Sequence, residues 1–175
     1  DPALTLGLAI QQSARLKMPL FVLYIDIEKC FPNARLTAVR VVEEWYGLPS
    51  EVRQLSADIL EQLVGKYDTE HGLSDDFAIL EGVLRGCTES PEKLRLLLNA
   101  IAAAICISCN GMRLWGDTTQ AVRRVVQALL ADDWVGLFET DDDRYKAFRL
   151  WGDWSRAFGM PLGVDDLDKS VLSAI

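Results

Sequence analysis

Residues 20–27 read LFVLYIDI, an apolar run interrupted only by Asp26. A stretch this uniformly apolar fits a central β-strand covered on both faces, because a half-exposed strand alternates with polar residues. That reading constrains the rest of the chain, since a central strand needs neighbours in a sheet and helices to bury it. It also makes Asp26 conspicuous. A carboxylate in a buried strand is unfavourable unless it finds a partner or a metal ion.

The flanking sequence supplies the other elements. Residues 3–17 form an expected helix with Leu4, Leu6, Leu8, Ile10 and Leu16 among its apolar positions, broken by Pro19. Arg35 to Tyr46 is a second helix, closed by Gly47 and Pro49, and Ser50 is the expected cap of a third that runs to about Val64. Lys66 to Glu70 and Phe77 to Leu80 read as short strands around the turn HGLSDD. Ser90-Pro91-Glu92 starts an apolar helix over 93–107, with Ser90 as cap, and Asn110-Gly111 marks a turn. Residues 122–131 and 134–138 are β-rich and flank Asp132-Asp133, which predicts a tight hairpin with the carboxylates at its bend. Gln127 and Ala128 keep a helical alternative open for the first run. Asp141-Asp142-Asp143 is the expected cap of a helix from Arg144 to Phe158, ended by Gly159 and Pro161. The tail 162–172 offers an edge strand. The sum is an α+β architecture: a small, partly antiparallel sheet with helices on one face.

Composition narrows the function classes. At 175 residues the chain is long enough for one ordinary domain with a real core. No apolar stretch reaches the roughly 18 to 20 residues of a membrane helix. The amino terminus lacks Met and a basic segment, so it reads as a cut inside a longer protein rather than a signal peptide. The net charge of −8 is opposite to what nucleic-acid binding usually requires. Arg35, Arg40, Arg85, Lys93, Arg95, Arg123 and Arg124 are the residues available for a local basic patch, with scattered solvated charge as the plain alternative. Of four cysteines, Cys106 and Cys109 make a CxxC without a second pair or a histidine pair to complete a zinc site. Buried structural thiols and an intracellular setting, cytoplasm or nucleus, are the expectation.

Asp26 alone is explained by a strand-end position, and Asp132-Asp133 alone by turn geometry. Together, on the tips of neighbouring strands, three carboxylates would repel one another without cations and would suit Mg²⁺ (or Mn²⁺), which takes carboxylate and phosphate oxygens. Paired metals of that kind serve phosphoryl transfer.

Four segments in order then resemble the palm of reverse transcriptases, especially those of non-LTR retroelements (retrotransposons) and group II introns. They are IDIEKCFPNA, GVLRGCTESP followed by KLRLLLNAI, LLADDWVGLF, and WGDWSRAFGMPLGVDDLDKSVL. The resemblance implies an α+β, polymerase palm-like fold: a small, mostly antiparallel sheet with helices packed on one face, spanning 1–175 as a single domain. It implies that Asp26, Asp132 and Asp133 are catalytic and bind Mg²⁺ or Mn²⁺. It also implies that Phe31 lies under the incoming sugar and favours deoxynucleotides, that Gly82 and Gly86 let backbone approach the substrates, and that Lys169 lies near the triphosphate. The implied partners are an RNA template, a DNA primer and dNTP. Arg85 stands where the family usually has Gln, Leu84 where it has Pro, and Cys87 where it has a small polar residue. An added phosphate or template contact from Arg85 is one reading, and a diverged, inactive copy is the other. Family members carry fingers before the first motif and a thumb after the fourth. Their expected absence here makes this chain a fragment that extends primers poorly by itself, and it leaves apolar sides for a partner or a homodimer. A catalytically inactive, palm-derived scaffold is the alternative function.

Overall fold

The expected central strand is present. In a computed structural model, Phe21–Ile25 forms a strand hydrogen-bonded on both sides, with Val22, Leu23 and Ile25 buried. The structure describes residues 2–62, 64–78, 82–83, 87–114, 123–125, 127–130, 133–163 and 172–174. The described elements, in chain order, begin α1 (Pro2–Leu16), β1 (Phe21–Ile25), α2 (Cys30–Asn33), α3 (Leu36–Trp45) and α4 (Ser50–Glu61). A ribbon follows, made of β2 (Val64–Gly65), β3 (Asp68–Thr69), β4 (Gly72–Leu73) and β5 (Phe77–Ala78). Then come α5 (Ser90–Ser108), β6 (Met112–Leu114), β7 (Arg123–Val125), β8 (Gln127–Leu130), β9 (Asp133–Phe138), α6 (Asp141–Phe158) and β10 (Leu172–Ala174). They fall into two units, residues 1–30 with 98–175, and residues 31–97.

The first unit holds a four-stranded sheet in the order β10-β1-β9-β8, with every neighbouring pair antiparallel. The α+β, palm-like class is therefore observed. Register assigns the faces. Phe21 pairs with Phe138 and Val22 with Leu137, so Val22, Tyr24, Val135 and Leu137 share one face. Ala9 and Leu6 of α1 pack there with Leu20 and Met112. The opposite face carries Phe21 and Trp134. Trp151 of α6 meets the Trp134 ring at 5.4 Å, and Arg144 stacks over Phe21 at 5.8 Å. The Gln127 side-chain amide donates to the Ala102 carbonyl of α5 at 3.1 Å. The two long helices thus lie on one face as expected, whereas α1 covers part of the other. Side chains of β1 point alternately at the two layers, which is why the run shows no polar alternation.

Several boundaries differ from the sequence reading. β1 stops at Ile25, so Asp26 sits one residue past the strand and is exposed, without the burial penalty expected of it. Residues 127–130 are a strand, since their carbonyls and amides complete the sheet beside β9. The cap of α6 is Thr140, whose hydroxyl accepts from the Asp143 amide at 3.2 Å, and the three aspartates occupy the first turn, where the helix dipole favours them. The edge strand lies at 172–174, while Leu162 makes an isolated bridge to Ile27. In α1, Leu4, Leu8 and Leu16 are exposed, because only the Leu6–Ala9 side faces the sheet. Cys30 and Cys109 are buried and no disulfide forms, but Cys106 is exposed. The run 96–109 is apolar all round, so composition could not select its buried side. Among the described residues no helix is long and apolar enough to cross a membrane.

In the second unit α3 packs on α4. Pro49, not Ser50, is the residue before α4, and the Ser50 hydroxyl donates to Glu51 Oε2 at 3.1 Å instead of capping. The ribbon is doubled: β2 pairs with β5, and β3 with β4 inside it, so part of the expected turn is itself strand. Ser90 begins α5, but its buried hydroxyl has no hydrogen-bond partner among the described residues. Lys93 is buried and ion-paired with Glu89 at 3.0 Å, so it does not contribute to a basic patch. Arg95 pairs with Glu92 at 3.1 Å.

Glu43 is only 3% exposed on α3. Burial holds its carboxyl above the ordinary value of 4.5, opposed by the nearby Lys93 ammonium. A group with a raised folded-state pKa contributes stability that is complete below the unfolded value and is lost as pH rises through the folded value. Glu43→Gln is therefore expected to remove a decline in stability that begins near pH 4.5 in the parent chain. Urea unfolding at a series of pH values checks this, and a stability difference between the two chains that does not vary with pH would refute it.

Candidate metal-binding carboxylate site

The site is built on the β1–β9 pair. The β1–β9 register ends with Ile25 opposite Trp134, so Asp26, the residue after Ile25, and Asp133, the residue before Trp134, lie at the same end of the sheet. Both aspartates are exposed. Asp133 also pairs with Leu130 of β8, so β8 and β9 pair antiparallel as expected, with Asp133 opening β9 rather than lying in the bend. Hairpin pairing is thus the local reason that Asp133 reaches the end of the sheet, and β1 brings Asp26 to the same end.

The other side of Asp26 is lined by backbone. The Gly163 amide donates to the Asp26 carbonyl at 3.0 Å, and the Glu28 amide donates to the Pro161 carbonyl at 2.9 Å. A Cβ on Gly163 would come within 3.1 Å of Asp26 Oδ2, so the absent side chain leaves room for the carboxylate. The sequence reading did not single out Gly163. Its only signal was a glycine in the segment PLGVDD. After Asp26 the chain turns sharply, with Lys29 in the left-handed region at φ 45°.

Asp133 is positioned from behind by Trp134. The indole donates to Gln127 Oε1 at 2.6 Å, and Trp134, Trp151, Trp154 and Phe158 form a chain of ring contacts at 5.2 to 5.4 Å. This packing anchors the strand that presents the carboxylate. Gln127 was likewise not identified from sequence, where its polarity in an apolar run was the available signal.

Phe31 lies in α2, half-buried, in the second unit. The Phe31 carbonyl accepts from the Val83 amide at 2.9 Å, and Gly82 approaches Pro32 so closely that an added Cβ would be 2.9 Å from Pro32 Cα. The first and second sequence motifs therefore meet through their backbones there. Asp132, Arg85, Gly86 and Lys169 lie outside the described residues. Among the described residues no group of three or more His, Cys, Asp and Glu is gathered as a metal site. The structure brings Asp26 and Asp133 to the same end of the sheet. Accessible carboxylates offer only hard oxygen donors, which fits Mg²⁺ or Mn²⁺ rather than a soft-ligand metal.

Among the solved structures similar in fold to this chain are ones of the reverse transcriptase class, and the chain has a reverse-transcriptase-like fold. They are telomerases. Telomerase from Candida albicans, in complex with a TWJ fragment of telomeric RNA, superposes with a TM-score of 0.64 at 12% identity over 95% of this chain. The Candida tropicalis enzyme with its TWJ fragment gives a TM-score of 0.67 at 13% identity over 99%, and the apo form truncated from its C-terminal domain gives 0.65 at 12% over 97%. The chain spans only 29% to 34% of those telomerase chains. Neither a scan of family models nor a search of curated proteins returns a match.

Proposed function

We infer that this chain is the palm of a template-directed nucleotidyltransferase of the reverse transcriptase class. The observation that carries this reading is the β1–β9 register, which ends at Ile25 and Trp134 and so leaves Asp26 and Asp133 at the same end of a four-stranded antiparallel sheet. The telomerase-like fold supports it. The four ordered motifs place Asp132, Phe31, Arg85, Gly86 and Lys169 in the same scheme. The non-LTR or group II subtype rests on those motifs alone.

In this scheme Asp26, Asp132 and Asp133 hold Mg²⁺ or Mn²⁺. When bound, such ions supply activation of a primer 3′ hydroxyl and charge neutralisation on the departing pyrophosphate. The protein's part is positional. β1 and β9 hold two carboxylates in fixed register, so little reorganisation is needed when substrate arrives. Gly163 leaves space for the Asp26 carboxylate. Phe31 supplies a ring five residues beyond Asp26 that excludes a 2′ hydroxyl, so dNTP is preferred. Lys169 would lie near the triphosphate, and the partners would be an RNA template, a DNA primer and dNTP.

A metal titration tests the reading without depending on turnover. At a free Mg²⁺ or Mn²⁺ concentration about 100 times the dissociation constant, the chain gains about 2.7 kcal/mol of stability. The Asp26→Asn, Asp132→Asn double variant loses that response. In a protein carrying this segment, the same pair abolishes primer extension on an RNA template. Equal metal stabilisation of the parent and double variant would remove the basis of the assignment. Binding of a partner with no metal response would favour the inactive scaffold.

A further inference from the structure

The second unit carries an uncovered apolar stripe. On α4, Ala57 and Leu60 are buried, yet Val52, Leu55 and Ile59 are 50%, 62% and 40% exposed. Their i, i+3, i+7 spacing places them along one side of the helix. Glu51 lies four residues before Leu55 and Asp58 three after it, so both carboxylates border the same stripe. The ribbon that follows repeats the combination. Tyr67 is 67% exposed and stacks on Phe77 at 4.8 Å, beside Asp68 and Asp76.

Charge selects the occupant. Between residues 50 and 78, seven carboxylates stand against two cations, a net charge of −5 with His71 neutral. Those two cations are already engaged: Arg53 pairs with Glu44 at 3.0 Å and Lys66 with Asp76 at 2.8 Å. Such a surface repels a phosphate backbone. It also disfavours a second copy of itself, because like acidic borders would face each other across the contact.

We propose that α4 docks a basic amphipathic helix of a protein partner. The partner's apolar face lies along Val52, Leu55 and Ile59, and its Lys or Arg residues pair with Glu51 and Asp58. This is the helix-on-groove mode, with apolar anchors supplying affinity and the acidic border supplying orientation and speed of encounter. The proposal is independent of the metal site, since it uses none of the residues assigned there.

The test is fluorescence anisotropy of the intact chain with a labelled synthetic Lys/Leu amphipathic helix. Saturable binding that weakens as salt rises is expected. Val52→Ser with Leu55→Ser leaves the net charge unchanged and removes exposed side chains only, so circular dichroism is expected to be preserved while affinity falls roughly tenfold or more. Glu51→Gln with Asp58→Asn weakens binding and flattens its salt dependence. A Glu/Leu helix of the same design does not bind. The proposal is overturned if the serine variant binds equally well, since the attraction would then be charge alone. It is also overturned if the Glu/Leu helix or single-stranded RNA binds this face as tightly. The third refuting result is sedimentation showing a dimer that the serine substitutions dissociate, which would make a second copy the occupant.

Discussion

Alanine at position 136 is expected to destabilise the protein by about 3 kcal/mol, at the upper end of what overpacking a core usually costs. Gly136 is buried in β9 between two aromatic residues whose rings lean over it. An added Cβ would lie 2.6 Å from Phe138 Cε2 and would also press into the Trp134 ring. Neither ring is at liberty to withdraw. Phe138 is fully buried, and Trp134 is 1% exposed, bonded to Gln127 and packed on Trp151. The strain falls on the strand that presents Asp133, so metal-induced stabilisation should fall with it. Urea unfolding measures the first effect, and Mg²⁺ titration the second. Gly152→Ala is the matched control. It sits inside α6 with only the flexible end of Arg156 within 4 Å, at 3.8 Å, so alanine should stabilise by up to about 1 kcal/mol there. If Gly136→Ala proves as benign as Gly152→Ala, the aromatic packing behind the hairpin is not as described.

Gly82→Ala should destabilise by a comparable amount, roughly 2 to 4 kcal/mol, for two reasons that add. Its φ of 85° lies in the left-handed region, and an added Cβ would stand 2.5 Å from the Pro32 carbonyl oxygen and 2.9 Å from Pro32 Cα. Backbone cannot swing aside as a side chain can. The adjacent Val83 amide bond to the Phe31 carbonyl would be the first interaction strained. Gly47→Ala separates the two contributions. Its φ is 74° but nothing lies within 4 Å of the added Cβ, so only the conformational part, about 1 kcal/mol, is expected. Equal losses at the two positions would show that the approach of Gly82 to Pro32 contributes nothing.

Much of the sheet was legible because its signals are local. LFVLYIDI is apolar without alternation, and only a strand flanked on both sides and covered on both faces accommodates that. The β8–β9 hairpin was legible from β-rich runs on either side of Asp132-Asp133. Caps and ends were less so, since Thr140 and Pro49 hold positions for which the neighbouring aspartates and serine have the greater intrinsic preference. The inward turn of Lys93 was not legible either. A lysine in the first turn of a helix reads as solvated, and only the packing of α3 against the neighbouring elements places Glu43 and Glu89 where they compensate its burial.

Hydrophobic period and turn chemistry act over a few residues, so the chain alone shows which segments could be strand, which could be helix, and which acidic residues fall near strand ends. Packing in three dimensions is what brings Asp26 and Asp133 to one end of the sheet, sets Gly163 behind Asp26, and leaves Val52, Leu55 and Ile59 uncovered. Those are questions of register and of which face meets which layer. A strand's two faces, and the sides of a helix such as α4 that carries apolar residues on more than one side, are distinguished only by what packs against them.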